Sequence, residues 1–192
     1  MELKTFVKIN SVTNLSDARY CAGMGVNQIG FCLNSKDKNY ITPETLKEIT
    51  GWISGIEIVS EIDSSYTGSL LTKVIETSSL ENIEHNSKVK LIIRMSLDEA
   101  EVNLKQINQL PNLDYVLLVS NNVNDDLQID RINQLSNQVP IVLGYGFNSK
   151  NINHLLEKLD IKGIALTGSD EIRPGFKDYD QLADVLEAIE ID

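Results

Sequence analysis

The stretch from Val7 to Phe31, VKINSVTNLSDARYCAGMGVNQIGF, restricts the fold more than any other. Phe6, Val7 and Ile9 form a short run of β-formers. Asn14 or Ser16 is placed to cap a helix, and Ala18, Cys21 and Ala22 recur at helical spacing before Gly23 and Gly25 stop it. Gln28 to Phe31 return to an extended pattern. A strand, a helix and a second strand within about 25 residues make the unit of a parallel sheet, because parallel neighbours need a crossover to connect them.

The unit recurs. After a polar loop from Asn34 to Asn39, Thr42-Pro43-Glu44 opens a second helix with a capping hydroxyl, a proline suited to the first turn and an acid at the positive helix end. Leu46, Ile49, Trp52 and Ile53 supply its buried face, and Ile56 to Ile62 alternates as a third strand with Glu57 and Glu61 on one side. Ser64 to Thr77, with Leu70, Leu71, Val74 and Ile75, reads as a third helix. Leu80 to Glu84 then reads as the fourth strand and Val89 to Ile93 as the fifth. Too few residues separate them for a helical return, so the fourth crossover helix is expected to be missing or reduced, leaving that side thinly covered.

Leu97 to Leu110 reads as a helix closed by Pro111, and Tyr115 to Val119 as an unbroken apolar strand of the kind buried on both faces. A helix over Asp126–Asn137, a strand over Pro140–Leu143, a helix capped by Asn148 through Leu159, a strand over Ile161–Leu166 and a helix over Tyr179–Ile189 complete the series. The expected fold is α/β, a (β/α)8 TIM barrel forming a single domain over residues 1–192. A doubly wound open sheet normally stops at five or six strands and would want a glycine-rich nucleotide turn after the first; Asn10-Ser11-Val12-Thr13 is not one.

A formal charge of −11 with no basic cluster to offset it argues against nucleic-acid and anionic-membrane surfaces and leaves small molecules or other proteins as partners. Cys21 and Cys32 lack metal-ligand spacing and read as buried thiols; neither a metal nor a cofactor is expected. MELKTFVKIN has no long apolar run and no later segment reaches spanning length, so a cytoplasmic protein is expected.

Lys8-Ile9-Asn10-Ser11-Val12-Thr13-Asn14, Asp17-Ala18, Gly30-Phe31, Tyr40-Ile41-Thr42-Pro43-Glu44 and Pro174-Gly175-Phe176-Lys177-Asp178 together resemble the phosphoribosylanthranilate isomerase family, whose first strand typically reads K-I-C-G-x-T. The resemblance spans nearly the whole chain and is weakest in its middle. It implies the same barrel and an Amadori isomerisation of a phosphoribosyl amine in tryptophan biosynthesis. It also exposes three departures. The family's proposed general base, the cysteine after K-I, is Asn10; its acid, the aspartate of an L-L-D-T run ending the sixth strand, is Val119; the carboxylate-binding arginine of its K-x-x-R-Y-like loop is Asn39.

Barrel chemistry projects from the carboxyl ends of the strands. Those ends hold Asn10, Cys32, Glu61, Arg94, Val119 with Ser120, Gly144 to Gly146, and Thr167 to Ser169. Gly144, Gly146, Thr167, Gly168 and Ser169 form a candidate phosphate cradle, since glycine lets backbone N–H groups approach an anion and a hydroxyl adds a donor. They match the family's phosphate loops in altered form; a glycine that merely turns the chain is the alternative. Glu61 is the best-placed substitute acid or base, with Cys32, Asp170 and Glu171 behind it. Arg94, where the family often has lysine, is a candidate anion contact or a partner for Glu61 or Glu84. His154 reads as a surface or packing residue, and His85 matches the family's histidine too loosely to use.

Asn10 has no titratable group in the working range and Val119 has none at all. General acid–base catalysis supplies roughly 10²–10⁴-fold per group, so losing both removes on the order of 5 kcal/mol of barrier stabilisation unless something substitutes. Two readings follow: an isomerase-like protein with weak or lost family activity, or a non-catalytic barrel that binds a phosphorylated sugar-like ligand or a partner protein. Either is compatible with a monomer or a homodimer.

Overall fold

The computed structural model describes residues 2–64, 66, 68–69, 71–80, 88–120, 128–167, 171–173, 176–177 and 180–191, with backbone alone for 171–173, 176–177 and 180–181. Eight parallel strands close in sequence order: β1 (Phe6–Asn10), β2 (Gln28–Cys32), β3 (Glu57–Glu61), β4 (Val74–Thr77), β5 (Lys90–Met95), β6 (Leu113–Leu118), β7 (Ile141–Leu143) and β8 (Gly163–Thr167). β8 returns to β1 in register from Phe6 opposite Gly163 to Asn10 opposite Thr167. Helices α1 (Leu15–Gly23), α2 (Pro43–Thr50), α3 (Leu97–Ile107), α4 (Ile129–Ser136), α5 (Ile152–Lys158) and α6 (Asp180–Ala188) accompany them. A short antiparallel pair, β9 (Glu171–Arg173) and β10 (Phe176–Lys177), follows the eighth strand. This is the (β/α)8 barrel expected from the repeat.

Period two decides which side chains face the interior. On β1, Val7 and Ile9 pack outward with Ala18 and Cys21 of α1 and Leu182, Val185 and Leu186 of α6, while Phe6 joins the interior cluster. That cluster also contains Val59, Val74, Ile92, Tyr115, Leu117, Val142 and Ala165, with Val119 at its upper edge. A second outer cluster joins β5, β6 and β7 to α3, α4 and α5. Local signals account for the helix starts: Asn14 accepts from the Asp17 N–H at 2.9 Å, Thr42 accepts from the Thr45 N–H, and Ser96 with Glu99 forms a reciprocal capping box on α3.

The amino end of the barrel is plugged by polar side chains. The buried Tyr115 hydroxyl donates to Gln28 Oε1 at 2.6 Å, Gln28 Nε2 donates to Glu57 Oε2 at 2.6 Å, and Lys90 donates to Glu57 Oε1 at 2.9 Å. Lys162 pairs with Asp114 and lies 4.9 and 4.7 Å from the ring centroids of Phe6 and Tyr115. These contacts fill the interior at one end; barrel chemistry is built on the carboxyl ends of the strands, at the other.

Two sequence expectations are corrected. Ser64 to Thr77 is not a helix: Val74–Thr77 is β4, and the described residues between β3 and β4 contain no helix. Leu70, Leu71, Val74 and Ile75 mimic helical spacing, but Val74, Ile75 and Thr77 are β-branched and Gly68 precedes them, and closing the barrel requires a strand there. The fourth strand therefore precedes the expected Leu80–Glu84, of which residues 81–84 lie outside the described residues. Leu80 instead packs toward the outer cluster containing α3, and its carbonyl accepts from Gln106 Nε2 at 3.3 Å. Among the described residues of the third crossover there is no helix, and Thr72 donates to Ser60 Oγ at 2.9 Å on the outer face of β3. The crossover between β4 and β5, where the sequence implies a missing or reduced helix, runs through residues 81–87, which lie outside the described residues.

The remaining helices hold with trimmed ends. α4 starts at Ile129, α5 at Ile152 and α6 at Asp180. Asn148 does not cap α5 directly; its side chain accepts from the Lys150 and Asn151 N–H groups in the turn before it.

Candidate functional site

Alternation places Lys8 on the inner face of β1, between Val7 and Ile9, where no solvent reaches it. A buried ammonium needs counter-charges, and the neighbouring strands supply them. Lys8 Nζ donates to Glu61 Oε1 at 2.9 Å, to Glu76 Oε2 at 2.6 Å and to Asn10 Oδ1. All three of its donors are thereby used. Both glutamates are more than 90% buried.

The two carboxyls titrate in opposite directions. Burial alone would raise Glu61, but the Lys8 charge and hydrogen bonds from Lys8 and Ser11 outweigh it and hold Glu61 below the ordinary value of 4.5. Glu76 is raised, first by burial and then by the negative charge of Glu61, with Lys8 compensating only in part. Burial would lower Lys8, yet the two carboxyls more than reverse that and raise it. It is held as a cation, the opposite of what a nucleophilic lysine needs.

Ser11, directly after β1, has φ 53°, in the left-handed region that favours glycine. Two bonds to the same carboxylate hold it there: its N–H donates to Glu61 Oε1 at 3.1 Å and its hydroxyl to Glu61 Oε2 at 2.8 Å. Glu61 thus has both oxygens engaged below the mouth, which opposes its use as a free base.

Around this cluster the carboxyl ends of the strands bring several expected residues together. Asn10 is half-buried, and its Nδ2 lies 3.4 Å from Thr167 Oγ1 across the β1–β8 seam. Val119, half-buried just past β6, covers the interior cluster, and its N–H bonds to Met95 O. Arg94 is exposed at the end of β5 on the same strand face as Ile92. It makes no ion pair among the described residues; Glu61 pairs with Lys8 instead, and Glu84 lies outside the described residues. Cys32 is buried, with its Sγ 4.0 Å from Asn34 O, and burial pushes its thiol up to about 11.

The cradle is described only in part. The Gly144 N–H is taken by Leu118 O at 2.9 Å and Gly146 has φ 79°, while Gly168, Ser169 and Asp170 lie outside the described residues. Glu171 lies on β9. Asn39 sits half-buried in the loop after β2, its N–H bonded to Asp37 Oδ1 at 2.8 Å. His154 is exposed near Glu157, and His85 lies outside the described residues.

Comparison with known proteins decides whose barrel this resembles. The N-(5'-phosphoribosyl)anthranilate isomerase of Thermotoga neapolitana is 24% identical over 90% of this chain and 92% of its own length. That of Gloeothece citriformis is 21% identical over 95% and 93%. The chain is a divergent relative of the phosphoribosylanthranilate isomerases. The crystal structure of the enzyme from Thermotoga maritima superposes with a TM-score of 0.79 at 18% identity, covering 96% of this chain and 98% of that one. A phosphoribosylanthranilate isomerase in complex with reduced 1-(o-carboxyphenylamino)-1-deoxyribulose 5-phosphate superposes with a TM-score of 0.76 at 19% identity. No protein-family model matches the chain.

Set against the phosphoribosylanthranilate isomerase motif K-I-C-G, this chain reads Lys8-Ile9-Asn10-Ser11. Ser11 stands at the glycine of that motif with a φ in the region glycine favours, and the two Glu61 bonds offset the strain of a Cβ there. Sequence reading missed Lys8, Ser11 and Glu76 as parts of the site. The signal for Lys8 was a charge at an inward position between two buried aliphatic residues; Glu76 was hidden by the helical reading of Ser64 to Thr77.

Proposed function

We propose that this protein keeps the ligand-receiving mouth of a phosphoribosylanthranilate isomerase but catalyses that family's reaction weakly or not at all. One observation carries the reading. The family's proton-transfer positions hold Asn10, an amide bonded to Lys8, and Val119, an aliphatic side chain that covers the barrel interior. An Amadori rearrangement needs an acid for the ring oxygen and a base for the neighbouring carbon, and neither side chain exchanges a proton near neutral pH.

Glu61 is the nearest candidate replacement, yet three hydrogen bonds hold its two oxygens, and freeing it would take from Lys8 one of its two carboxylate partners and from Ser11 the acceptor of both its bonds. The ligand expected is a small phosphorylated, sugar-like molecule at Gly144, Gly146, Thr167, Gly168 and Ser169, with Arg94 as a further anion contact and Asn39 in place of the family's arginine. The barrel is expected to work in the cytoplasm without a cofactor or metal, as a monomer or homodimer. No helix among the described residues is long and apolar enough to cross a membrane.

The test is complementation of a tryptophan auxotroph lacking the isomerase, alongside direct turnover of N-(5'-phosphoribosyl)anthranilate. No growth and turnover at least about 10³-fold below that of an active relative are expected. Robust growth with family-level turnover would overturn the proposal and point to a rebuilt acid–base pair.

A further inference from the structure

The Lys8 cluster settles which way Asn10 points. An ammonium has donors and no acceptor, so the group facing it must be the amide oxygen. Asn10 Oδ1 is therefore turned down onto Lys8 and its NH₂ is turned up, toward Thr167. Donation from a charged lysine also polarises the amide and strengthens its N–H groups as donors.

The neighbours at the mouth are donors as well. Thr167 is exposed, and when its oxygen accepts from Asn10 its hydroxyl proton is directed elsewhere. Arg94 is exposed at the end of β5, two residues on from Ile92 and so on the strand face that looks into the barrel. The acceptors that would repel an anion are withdrawn: both Glu61 oxygens are occupied by Lys8 and Ser11, and Glu76 is turned onto Lys8. Asn10 Nδ2 and Thr167 Oγ1 stand 3.4 Å apart, a separation that one carboxylate or phosphoryl group can bridge with two oxygens.

We propose that Asn10 and Thr167 form a binding site for a single oxyanion group, carboxylate or phosphoryl, with Asn10 as the central donor, Lys8 as the residue that positions it and Arg94 supplying positive charge to the same mouth from β5. Where a proton-transfer barrel places a base, this chain places a donor that recognises charge already formed. The inference rests on the reading that the mouth still receives a ligand, and it locates one anionic group of that ligand at the seam of β1 and β8, where Thr167 is shared with the phosphate cradle proposed above.

The experiment titrates the whole protein with inorganic phosphate and, separately, with malonate at constant ionic strength. The readouts are the thermal midpoint and the side-chain amide NMR signals of asparagine. Saturable movement of one amide pair that is missing from Asn10→Ala is expected with at least one of the two anions, and which anion does so identifies the group. Asn10→Ala and Thr167→Val should keep the wild-type circular dichroism and weaken the anion by about tenfold or more, the loss of a charge-assisted hydrogen bond. Asn10→Asp keeps an oxygen for Lys8 but turns an acceptor upward, and should abolish binding. No saturable response in the wild type up to tens of millimolar, or affinities in folded Asn10→Ala within twofold of wild type, would overturn the proposal. Turnover measured on the same wild-type preparation separates the two readings: family-level isomerisation sinks the proposed function, whereas the anion site stands or falls on binding alone.

Discussion

A Cβ built on Gly30 would stand 1.8 Å from Glu61 Oε1 and 2.9 Å from Lys8 Nζ. The bare backbone of β2 is therefore what gives the ion cluster its room, and two residues whose Cα atoms lie on neighbouring strands are interdependent. Gly30→Ala must displace a buried carboxylate from its lysine, combining overpacking with a weakened charge pair. We expect a loss of roughly 2–4 kcal/mol in urea unfolding. A loss below about 0.5 kcal/mol, typical of a neutral surface change, would show that the cluster can move aside freely.

Lys8 and Glu76 should respond very unequally to removal. Lys8→Met leaves Glu61 and Glu76 facing each other without a counter-ion in a closed interior, and a cost of about 3–5 kcal/mol is expected. Glu76→Gln keeps the shape and the contact to Lys8 while leaving the Lys8–Glu61 pair balanced, so a change of roughly 1 kcal/mol or less is expected. Denaturation midpoints of the two variants at neutral pH check this. Equal losses would mean that Glu76 is needed as an ion.

Stability against pH follows from the same geometry. Glu76 is raised above 4.5 in the folded state, so the folded protein holds a proton there that the unfolded chain has released, and stability falls as pH rises from about 4.5 through the folded value. Glu61 is lowered, so its contribution is present above the unfolded value and is lost as pH falls through the folded one. Lys8 is raised, so its contribution is complete below the ordinary value of 10.5 and is lost as pH rises through the folded value. Glu76→Gln removes only the first of these. Urea unfolding at unit steps from pH 4 to pH 8 should show the variant gaining on wild type as pH rises. A constant difference across the series would contradict a raised Glu76.

The barrel was legible because parallel strands, their crossovers and their caps leave local marks. Phe6, Val7 and Ile9 alternate, Asn14 caps, and Thr42-Pro43-Glu44 opens α2 where the residue types place it. What failed was the stretch around Val74, because four apolar residues spaced for a helix can equally end a loop and begin a strand, and the deciding factor is the need to pair β3 with β5. The site was half legible for the same reason. Asn10, Glu61, Arg94, Val119 and Thr167 lie at strand ends that the repeat located. The pairing of Lys8 with Glu76 spans 68 positions and depends on a strand read as a helix. No local pattern carries that contact.

The strongest test of the proposed loss of a proton-transfer pair is to supply one. In Asn10→Cys the new thiol would sit beside the Lys8 ammonium, which favours the thiolate and so a working base. In Val119→Asp a carboxyl would enter the upper edge of an apolar cluster, where burial raises its pKa and suits it to donate a proton. Each group alone lacks its complement, so single variants should stay near the wild-type rate. The double variant should gain at least about 10²-fold in kcat with N-(5'-phosphoribosyl)anthranilate, since each positioned acid or base contributes roughly 10²–10⁴. On the proposed reading KM should remain high, because the resemblance puts Asn39 where the family has a carboxylate-binding arginine. A double variant that folds, binds the substrate and shows no gain would mean that the mouth has lost more than its acid and base, and that the departures in the loops after β2, β7 and β8 have already changed how a ligand lies in the barrel.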